Sequence, residues 1–338
     1  MVFERMSGRG YRGAHHERGV ALLIVLLLVT VMSSVAIAVT DDIRFAVRRT
    51  ANIRISDQMS WYALGAEAMA RQVLWRSWKV SSSRSTLRDP WAKDGVAFAI
   101  DGGSISGRIT DGGTCFNLNS VAERGPTGLT IVRATGQEQY IALLTALEFD
   151  RRLSAALAAS LVDWVDSDGE SAAYGAEDEY YGARLVPYRT AGTLLAEPSE
   201  LRAISGYTEE IYQRLRPLVC ALPTNDLSRI NINTVRESQA ALLVMLAGPE
   251  LRLTEAQRLI AARPLDGFSS TDRFFSLDAF SGLAIDEPTR RQFVLKTHYF
   301  DVASTVQFHE AEFTMNSLVE VDDGGRLTTH ARRYGTFD

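Results

Sequence analysis

Residues 18–39 have the sequence RGVALLIVLLLVTVMSSVAIAV, a long apolar stretch near the start of the chain. It contains no charged residue from Val20 to Val39, and about 20 apolar residues are enough for a helix to cross the hydrocarbon core of a membrane. Four arginines lie before or at its start, an excess that favours keeping this side in the cytoplasm: Arg5, Arg9, Arg12 and Arg18. We therefore expect the rest of the chain to be exported.

The charged leader and the apolar run permit three interpretations. A secretory signal peptide is cut after a small-residue site, and Ala36-Ile37-Ala38 offers one. A plain membrane anchor is not cut. A signal of the type IV prepilin class is cut before the apolar run, here after Gly19, and leaves the run as a helix of the mature protein. The string RGVALLIVLLL resembles this third class, while the other two remain open at this point.

The residues after the run favour a retained helix. Residues 41–78 contain no proline and one glycine, Gly65. Apolar residues recur at intervals of three and four, which predicts one face of an amphipathic helix: Ile55, Met59, Tyr62, Ala66, Met69 and Val73. A membrane helix that continues onto a soluble domain explains this pattern, and an ordinary core helix after a cleaved signal is the alternative.

Composition and charge exclude one class of function. The chain has 338 residues, of which 46% are hydrophobic and 23% charged, as is ordinary for a folded protein. Its net charge is −5, and it contains no basic run. Because phosphate contacts need clustered cations, we expect no binding of nucleic acid.

The two cysteines, Cys115 and Cys220, bear on the compartment. Disulfides persist in exported proteins, so this pair suggests one bridge, and two unrelated buried thiols are the alternative. Neither cysteine has a second Cys or a His at ligand spacing, which argues against a metal site there.

Two β regions flank a block of helices. Strand patterns and glycine-rich turns occur near 96–119 and again near 297–335, while the residues between them show helical periodicity. Insertion of a helical domain into a small α+β domain explains this order with one assumption. We predict an α+β fold with a long N-terminal helix, a small antiparallel sheet and a large inserted all-α domain.

A second helical unit at 231–277 resembles the helix-hairpin-helix units that often bind the DNA backbone. That hairpin normally offers backbone amides to a phosphate. Here Gly248 is followed by Pro249, which has no N–H, and by Glu250, which would repel a phosphate. We interpret this unit as a packing module.

An acidic loop at 163–179 is the main candidate for a functional site. Its seven carboxylates repel one another unless water or a cation screens them. Calcium takes six to eight oxygens from carboxylates and carbonyls on flexible loops. A solvated acidic turn is the alternative, and a carboxylate pair for glycoside hydrolysis is less favoured because such residues usually come from separate elements around a cleft.

The spacing within this loop resembles an EF-hand only in part. If Asp166 is position 1, then Asp168, Glu170 and Glu177 fall at positions 3, 5 and 12. Position 6, however, is Ser171 instead of the required glycine. The loop is therefore no EF-hand, although calcium chemistry in another geometry remains open. The sequence has no G-x-S-x-G, no phosphate-binding loop and no glycine-rich nucleotide fingerprint, so we predict no enzyme.

Six strings in order resemble the K-type minor pseudopilins of bacterial type II secretion systems. They are RGVALLIVLLL at 18–28, CFNLNS at 115–120, LVDWVDSD at 161–168, YGAEDEYY at 174–181 with PYR at 187–189, SELRAISGY at 199–207 and ININT at 230–234. The resemblance implies a pilin-like fold with a helical insertion. The expected segments are a prepilin leader at 1–19, a membrane and spine helix at 20–80, a pilin-like β part at 81–120, the inserted helical domain at 121–292 and the β return at 293–338.

The resemblance also implies processing and metal binding. Prepilin peptidase would cut between Gly19 and Val20, and the new N-terminus would be methylated. A structural Ca²⁺ would be held by carboxylates of the acidic loop: Asp166, Asp168, Glu177 and Asp178, with Asp163 or Glu170 as further candidates.

The implied place is the tip of the pseudopilus. There the chain would cap the filament and help to start its assembly, together with the I- and J-type minor pseudopilins and above the major pseudopilin. The helix would be anchored once in the inner membrane, with the bulk of the chain in the periplasm. The runner-up is an exported calcium-binding enzyme or adhesin with a cleaved signal peptide.

Ile24 is a departure from pilins in general. Most pilins carry Glu at mature position 5, where it pairs with the N-terminal amine of a neighbouring subunit. A charge at the bilayer centre costs roughly 2.5–3.5 kcal/mol on insertion scales, so an unpaired one is disfavoured. A subunit with nothing above it has no amine to pair with, and Ile24 therefore fits a capping subunit, a trait that the K-type family shares.

Overall fold

The structure is a computed structural model that describes residues 14–93 and 95–335, with side chains from Gly19 onward. The leader arginines Arg5, Arg9 and Arg12 lie outside the described residues, as do residues 336–338. Two compact units are present, the first ending at Trp61 and the second beginning at Tyr62. Helix α1, Ala14–Val80, contributes to both.

In the first unit, every described side chain from Gly19 to Arg54 is exposed. This stretch includes the predicted apolar run, and the most apolar window of the helix has a mean hydropathy of 2.9 with none of it buried. Within the described part of the chain, α1 is one helix that is long and apolar enough to cross a membrane. A helix satisfies its own backbone hydrogen bonds, which lipid requires.

The second unit contains a five-stranded antiparallel sheet. Its strands are β1 (Val96–Ile100), β2 (Gly103–Asp111), β9 (Tyr299–Phe308), β10 (Ala311–Val321) and β11 (Leu327–Tyr334), hydrogen-bonded in that order. The central pair β2–β9 joins segments that are far apart in the chain, with a register from Gly103↔Phe308 to Asp111↔Phe300. The predicted α+β fold, in which the chain returns to the sheet after a helical block, is confirmed.

The helical block lies between β2 and β9. Its helices are α2 (Ala134–Ala146), α3 (Arg151–Val165), α4 (Asp178–Gly182), α5 (Glu209–Leu215), α6 (Ala241–Ala247), α7 (Leu253–Ala261), α8 (Thr271–Phe275) and α9 (Glu287–Arg290). Short strand pairs connect them: β3 (Phe116–Asn117) with β6 (Val219–Cys220), β4 (Ala122–Arg124) with β5 (Thr130–Val132), and β7 (Ile230–Asn231) with β8 (Phe293–Val294). The larger hydrophobic core is in this block, and a smaller one lies against the sheet.

A buried glutamate links the second-unit part of α1 to the sheet. Glu67 is 3% exposed, and its carboxylate accepts hydrogen bonds from Arg332, Ser317 and Thr329. Arg71, one helical turn further on, donates to Thr329 as well. These bonds fix the rotation of the helix against β10 and β11, because each donor stands at one position of the sheet.

The predicted apolar face of α1 is partly wrong. Met69, which the periodicity assigns to that face, is 54% exposed. In the part of α1 that belongs to the second unit, the described side chains that are buried are instead Ala63, Glu67 and Leu74. The buried face contains the charged Glu67, which interrupts its apolar pattern. The apolar periodicity of the sequence therefore points to the neighbouring face of the helix.

Two parts of the helical block begin with the same local motif, Asn-x-Asn followed by Ser or Thr and then Val. In the first copy, the side-chain oxygen of Asn117 accepts a hydrogen bond from the backbone of Asn119 at 3.2 Å. In the second, Asn231 accepts one from the backbone of Asn233 at 2.9 Å. The first asparagine of each motif is the last residue of a strand in a parallel pair, β3 with β6 and β7 with β8.

The second asparagine of each motif then binds a distant backbone segment. Asn119 accepts from the N–H of Leu195 and donates to the carbonyls of Leu195 and Leu222. Asn233 makes the corresponding pair of bonds to the N–H and carbonyl of Phe268. Both asparagines are buried, so these amides replace the water that the backbone groups would otherwise need.

The β region predicted near 96–119 is shorter in the structure. The sheet strand β2 ends at Asp111, and β3 pairs with β6 inside the helical block, so residues 115–119 belong to that block. The carboxylate of Asp111 stabilises the end of β2, because it accepts hydrogen bonds from Thr114, Thr234 and Thr297. A short polar network thus joins the sheet to both halves of the block.

The two cysteines form a disulfide. Cys115 lies just before β3 and Cys220 ends β6, and their Cα atoms are 5.8 Å apart. The bridge closes a loop that contains the whole first half of the helical block. It therefore fastens that half at the point where the chain leaves the sheet.

Candidate metal centre

The acidic loop begins where α3 ends. Trp164 and Asp166 are buried, and the backbone N–H of Gly192 donates to the carbonyl of Trp164 at 3.1 Å, so the chain beyond the loop returns to the start of the loop. Ser167 and Thr130 exchange hydrogen bonds across to strand β5. The loop is thus closed at its base by backbone contacts.

Three carboxylates meet at this base. Asp166, Asp168 and Glu177 each place an oxygen within 4.8 Å of the other two. Asp166 and Glu177 are buried, at 5% and 7% exposure, while Asp168 is exposed. One oxygen of Asp166 has no hydrogen-bond partner although it is buried. A buried carboxylate oxygen without a donor, next to two further carboxylates, is a surface that suits a hard divalent cation.

The electrostatics of the cluster point the same way. Burial, followed by the charges of Asp168, Asp163 and Glu177, raises the pKa of Asp166 to about 7. Burial also raises the pKa of Glu177. Carboxylates whose ionised forms are disfavoured in this way are stabilised by a cation or by a proton.

Asp163 supports the loop from below. Its carboxylate accepts hydrogen bonds from the backbone of Ala172 at 3.2 Å and from the hydroxyl of Ser171 at 3.3 Å. Gly175 packs directly on it, since a Cβ at that position would lie 2.0 Å from an Asp163 oxygen. Burial raises the pKa of Asp163 as well. Its oxygens serve the loop backbone, which makes it a positioning residue.

Two other candidates lie outside the three-carboxylate group. Asp178 accepts hydrogen bonds from the backbone and hydroxyl of Thr190, and one of its oxygens is 3.8 Å from Arg189. Glu170 contributes its backbone N–H, which donates to Asp168 at 2.8 Å. The structure therefore brings together three of the four predicted ligands. It also reveals Thr190, which bonds both Glu177 and Asp178 and carries no signal in the sequence.

An aromatic cluster holds the far side of the loop. Trp164 packs edge-on against Tyr181, and Tyr181 lies against Tyr188 with ring centres 5.0 Å apart. The hydroxyl of Tyr188 donates to the carbonyl of Ala203, and Arg184 lies over the Tyr188 ring. These aromatic contacts hold the loop in place beside the three carboxylates.

The raised pKa of Asp166 gives the metal-free protein a specific pH dependence. Its carboxyl has an ordinary pKa of 3.8 when unfolded and about 7 when folded. The folded state therefore binds the extra proton, and its contribution to stability is full below pH 4 and is lost as the pH rises through 7. In chelator, the melting temperature should fall between pH 5 and pH 8, measured by thermal scanning of the full chain in detergent.

The control for this prediction is Asp166→Asn, which cannot titrate. This variant should show a flatter profile than the wild type over the same pH range. An unchanged slope in Asp166→Asn would assign the pH dependence to other groups.

Two family models, both described as type II secretion system (T2SS), protein K, match residues 114–224 and 230–296. The first match contains the disulfide loop, the first Asn-x-Asn motif and the acidic loop. The second contains the second motif and the α6–α7 hairpin. The boundary between the matches falls between the two halves of the helical block.

Curated relatives match over nearly the whole chain. A type II secretion system protein K of Klebsiella pneumoniae is 36% identical over 324 residues, covering 96% of this chain and 98% of the relative. A protein of the same name from Pectobacterium carotovorum is 34% identical over 329 residues, covering 95% and 97%.

A solved structure shares the fold. It is a chain of the crystal structure of the GspK-GspI-GspJ complex from the type 2 secretion system of enterotoxigenic Escherichia coli, with a TM-score of 0.75 and 31% identity. The match covers 86% of this chain and 100% of that one. Together with the two family matches, this shows that the chain belongs to the type II secretion system protein K family.

Proposed function

We propose that this protein is a minor pseudopilin that caps the tip of the periplasmic pseudopilus and helps to start its assembly. The observation that carries the proposal is the continuity of α1 from the exposed apolar run to the sheet-forming unit, Ala14–Val80 without a break. A cut after Ala38 would divide this helix. A cut after Gly19 leaves an apolar helix attached to a folded domain, which is what a filament subunit needs.

The tip position is supported by two features. Ile24 stands at mature position 5, so no carboxylate there requires the amine of a subunit above it. The helical block is inserted between β2 and β9, two strands that pair directly, and it has a hydrophobic core of its own beside the small sheet. A subunit with such a block has no room for a further subunit above it.

The partners and the location follow from the same role. We propose that the I- and J-type minor pseudopilins bind beside this chain, in line with the three-protein complex that contains its structural relative. The major pseudopilin lies below, prepilin peptidase cuts after Gly19 and the new amine of Val20 is methylated. The helix resides in the inner membrane and the second unit in the periplasm. The role is structural and involves no catalysis.

We propose further that the acidic loop holds a structural Ca²⁺ through Asp166, Asp168 and Glu177. The carboxylate set and the unpartnered buried oxygen of Asp166 support this assignment. Asp178 remains a candidate through its contact with Thr190, the residue that also bonds Glu177. Backbone carbonyls and water would complete the six to eight oxygens that Ca²⁺ prefers.

Calcium should stabilise the full chain in detergent. At a concentration 100-fold above its Kd, a bound ion adds about 2.7 kcal/mol of stability, so chelation should lower the melting temperature measurably. Asp166→Asn and Asp168→Asn should abolish the calcium response. Glu170→Gln and Glu179→Gln remove neighbouring acidic charges outside the three-carboxylate group and should keep it. If Asp166→Asn and Asp168→Asn kept the same calcium response as the two control variants, the site would be ruled out.

The role at the tip is tested by co-purification. The full chain, expressed with the I- and J-type minor pseudopilins and extracted in detergent, should recover both in a fixed ratio. Recovery of neither partner, together with hydrolase activity in the purified chain, would favour the exported enzyme or adhesin instead.

A further inference from the structure

A second feature of the molecule is a cleft between the sheet and the helical block. It has a volume of about 720 Å³. Strand residues Arg108 and Arg333 line one wall, and Arg216 and Arg236 from the helical block line the other. The cleft lies within the second unit and is separate from the acidic loop.

Cations outnumber anions in this cleft. It is lined by five arginines, including Arg202, but by three acidic residues, Asp111, Glu197 and Asp301. The structure already engages two of the acids: hydroxyl groups of threonine bond Asp111, and Arg333 pairs with Glu197 at 2.8 Å. Asp301 lies within electrostatic range of Arg216 and Arg333, without a hydrogen bond to either.

The five arginines differ in whether their guanidinium groups form ion pairs. Arg202 pairs with Glu209 and Arg333 with Glu197. Arg108, Arg216 and Arg236, by contrast, make no side-chain hydrogen bond or ion pair with any residue that the structure describes. All three are exposed and line the same space. A guanidinium presents a planar fork of donors that fits a carboxylate, so the shared space is complementary to more than one carboxylate.

The cleft continues into a second cavity of about 590 Å³. Leu87, Arg236 and Ser238 line both cavities and join them into one groove. The second cavity adds Leu265, which is 80% exposed, and Leu87 is itself 38% exposed. Arg236 and Leu87 lie where the cavities meet, with Arg108 and Arg216 on one side and Leu265 on the other. A long groove of this kind fits an extended polypeptide better than a small anion.

We propose that this groove receives an acidic segment of a partner pseudopilin, with at least two carboxylates at the arginine end and an apolar side chain near Leu265. The proposal rests on the function proposed above, because the occupant is a subunit of the same assembly. Charge pairs of this kind set the orientation of the partner and weaken as the ionic strength rises.

The test uses the full chain, co-expressed with the I- and J-type minor pseudopilins and purified in detergent. Arg108→Glu combined with Arg236→Glu should lower partner recovery at least tenfold, because both free guanidinium groups become repulsive to carboxylates. The matched control is Arg124→Glu combined with Arg151→Glu, which makes the same change in net charge at exposed positions away from the groove. It should keep recovery within twofold of the wild type.

A cross-linking measurement identifies the occupant directly. A photo-cross-linking amino acid at Ser238, inside the groove, should capture a peptide of a partner subunit that contains two or more Asp or Glu residues. The same amino acid at Glu138, on the exposed face of α2, should not capture it. Capture of an exported protein at Ser238 in place of a subunit would contradict the proposal.

The outcomes separate the two proposals. If the wild type recovers no partner, the tip role and the groove assignment both fail. If it recovers partners and the two double variants do so equally well, the groove assignment alone fails. Equal melting temperatures of the two double variants establish that a selective loss of partner does not come from unfolding.

Discussion

Replacing both Cys115 and Cys220 by alanine is expected to lower the free energy of unfolding by about 4–5 kcal/mol. The sequence separation of the bridge is 105 residues, and in the chain-entropy model a crosslink across about 100 residues constrains the unfolded chain by this amount. Cys115 is 7% exposed and sits where the chain leaves the sheet, so its loss also loosens that junction. Guanidinium denaturation of the full chain in detergent, followed by tryptophan fluorescence, measures the change.

Reductant provides the control for the disulfide. It should destabilise the wild type to nearly the level of the double alanine variant and should leave that variant unchanged. A difference below about 1 kcal/mol between the oxidised wild type and the variant would mean that the helical block is held to the sheet without the bridge, contrary to the loop-entropy argument.

The second large effect is expected at Asn119. Replacing Asn119 by alanine removes three buried hydrogen bonds and leaves two backbone groups of Leu195 and the carbonyl of Leu222 without partners. Each lost bond contributes about 1 kcal/mol and each unsatisfied buried group adds more, so we expect a loss of about 3–5 kcal/mol. The same denaturation experiment measures it.

The duplicated motif supplies a matched comparison. Asn233→Ala removes two such bonds, to Phe268, and should destabilise the protein strongly but less than Asn119→Ala. Gln213→Ala removes an amide that bonds an exposed carboxylate on the surface of α5 and should change stability by under about 0.5 kcal/mol. If all three variants changed the free energy of unfolding by a similarly small amount, the hydrogen bonds of the two motifs would not be what stabilises the segments around Leu195 and Phe268.

The β return and the membrane helix were accessible from sequence for a physical reason. Strand β9 alternates buried side chains with exposed or half-buried ones along its whole length, because one face of the sheet packs on the smaller core. The apolar run can be recognised without any periodicity, because the 20 residues from Val20 to Val39 carry no charge. Both patterns depend on local composition, which a sequence displays directly.

Other features depend on distant parts of the chain. A glutamate is normally expected at the surface, and the residues near Glu67 in the sequence do not indicate that it is buried. Its partners Arg332 and Ser317 lie about 250 residues further along the chain. Asn119 similarly gains its role from Leu195, which the chain reaches only after the whole acidic loop. Such bonds are fixed by tertiary packing, and periodicity carries no trace of them.

The sequence predicts which acidic residues could form the metal centre, but not which of them the fold brings together. The sequence places seven carboxylates at 163–179, and the structure gathers three of them. Asp163 and Asp178 have the same chemistry as Asp166, yet their oxygens accept hydrogen bonds from Ala172 and Thr190, whereas one buried Asp166 oxygen has no hydrogen-bond partner. The fold of the loop, set by Gly175 and the aromatic cluster, decides which carboxylates lie close together.

We propose that the apolar run stays on the folded domain as the helix of a processed pseudopilin. Mass spectrometry of the N-terminus of the chain, isolated from cell membranes, tests it most directly. A mature protein that begins at Val20 and carries a methyl group on its amine is the predicted result. A mature protein that begins at Val39, cut after Ala36-Ile37-Ala38, would contradict it, because the membrane helix would then be lost and the exported domain released.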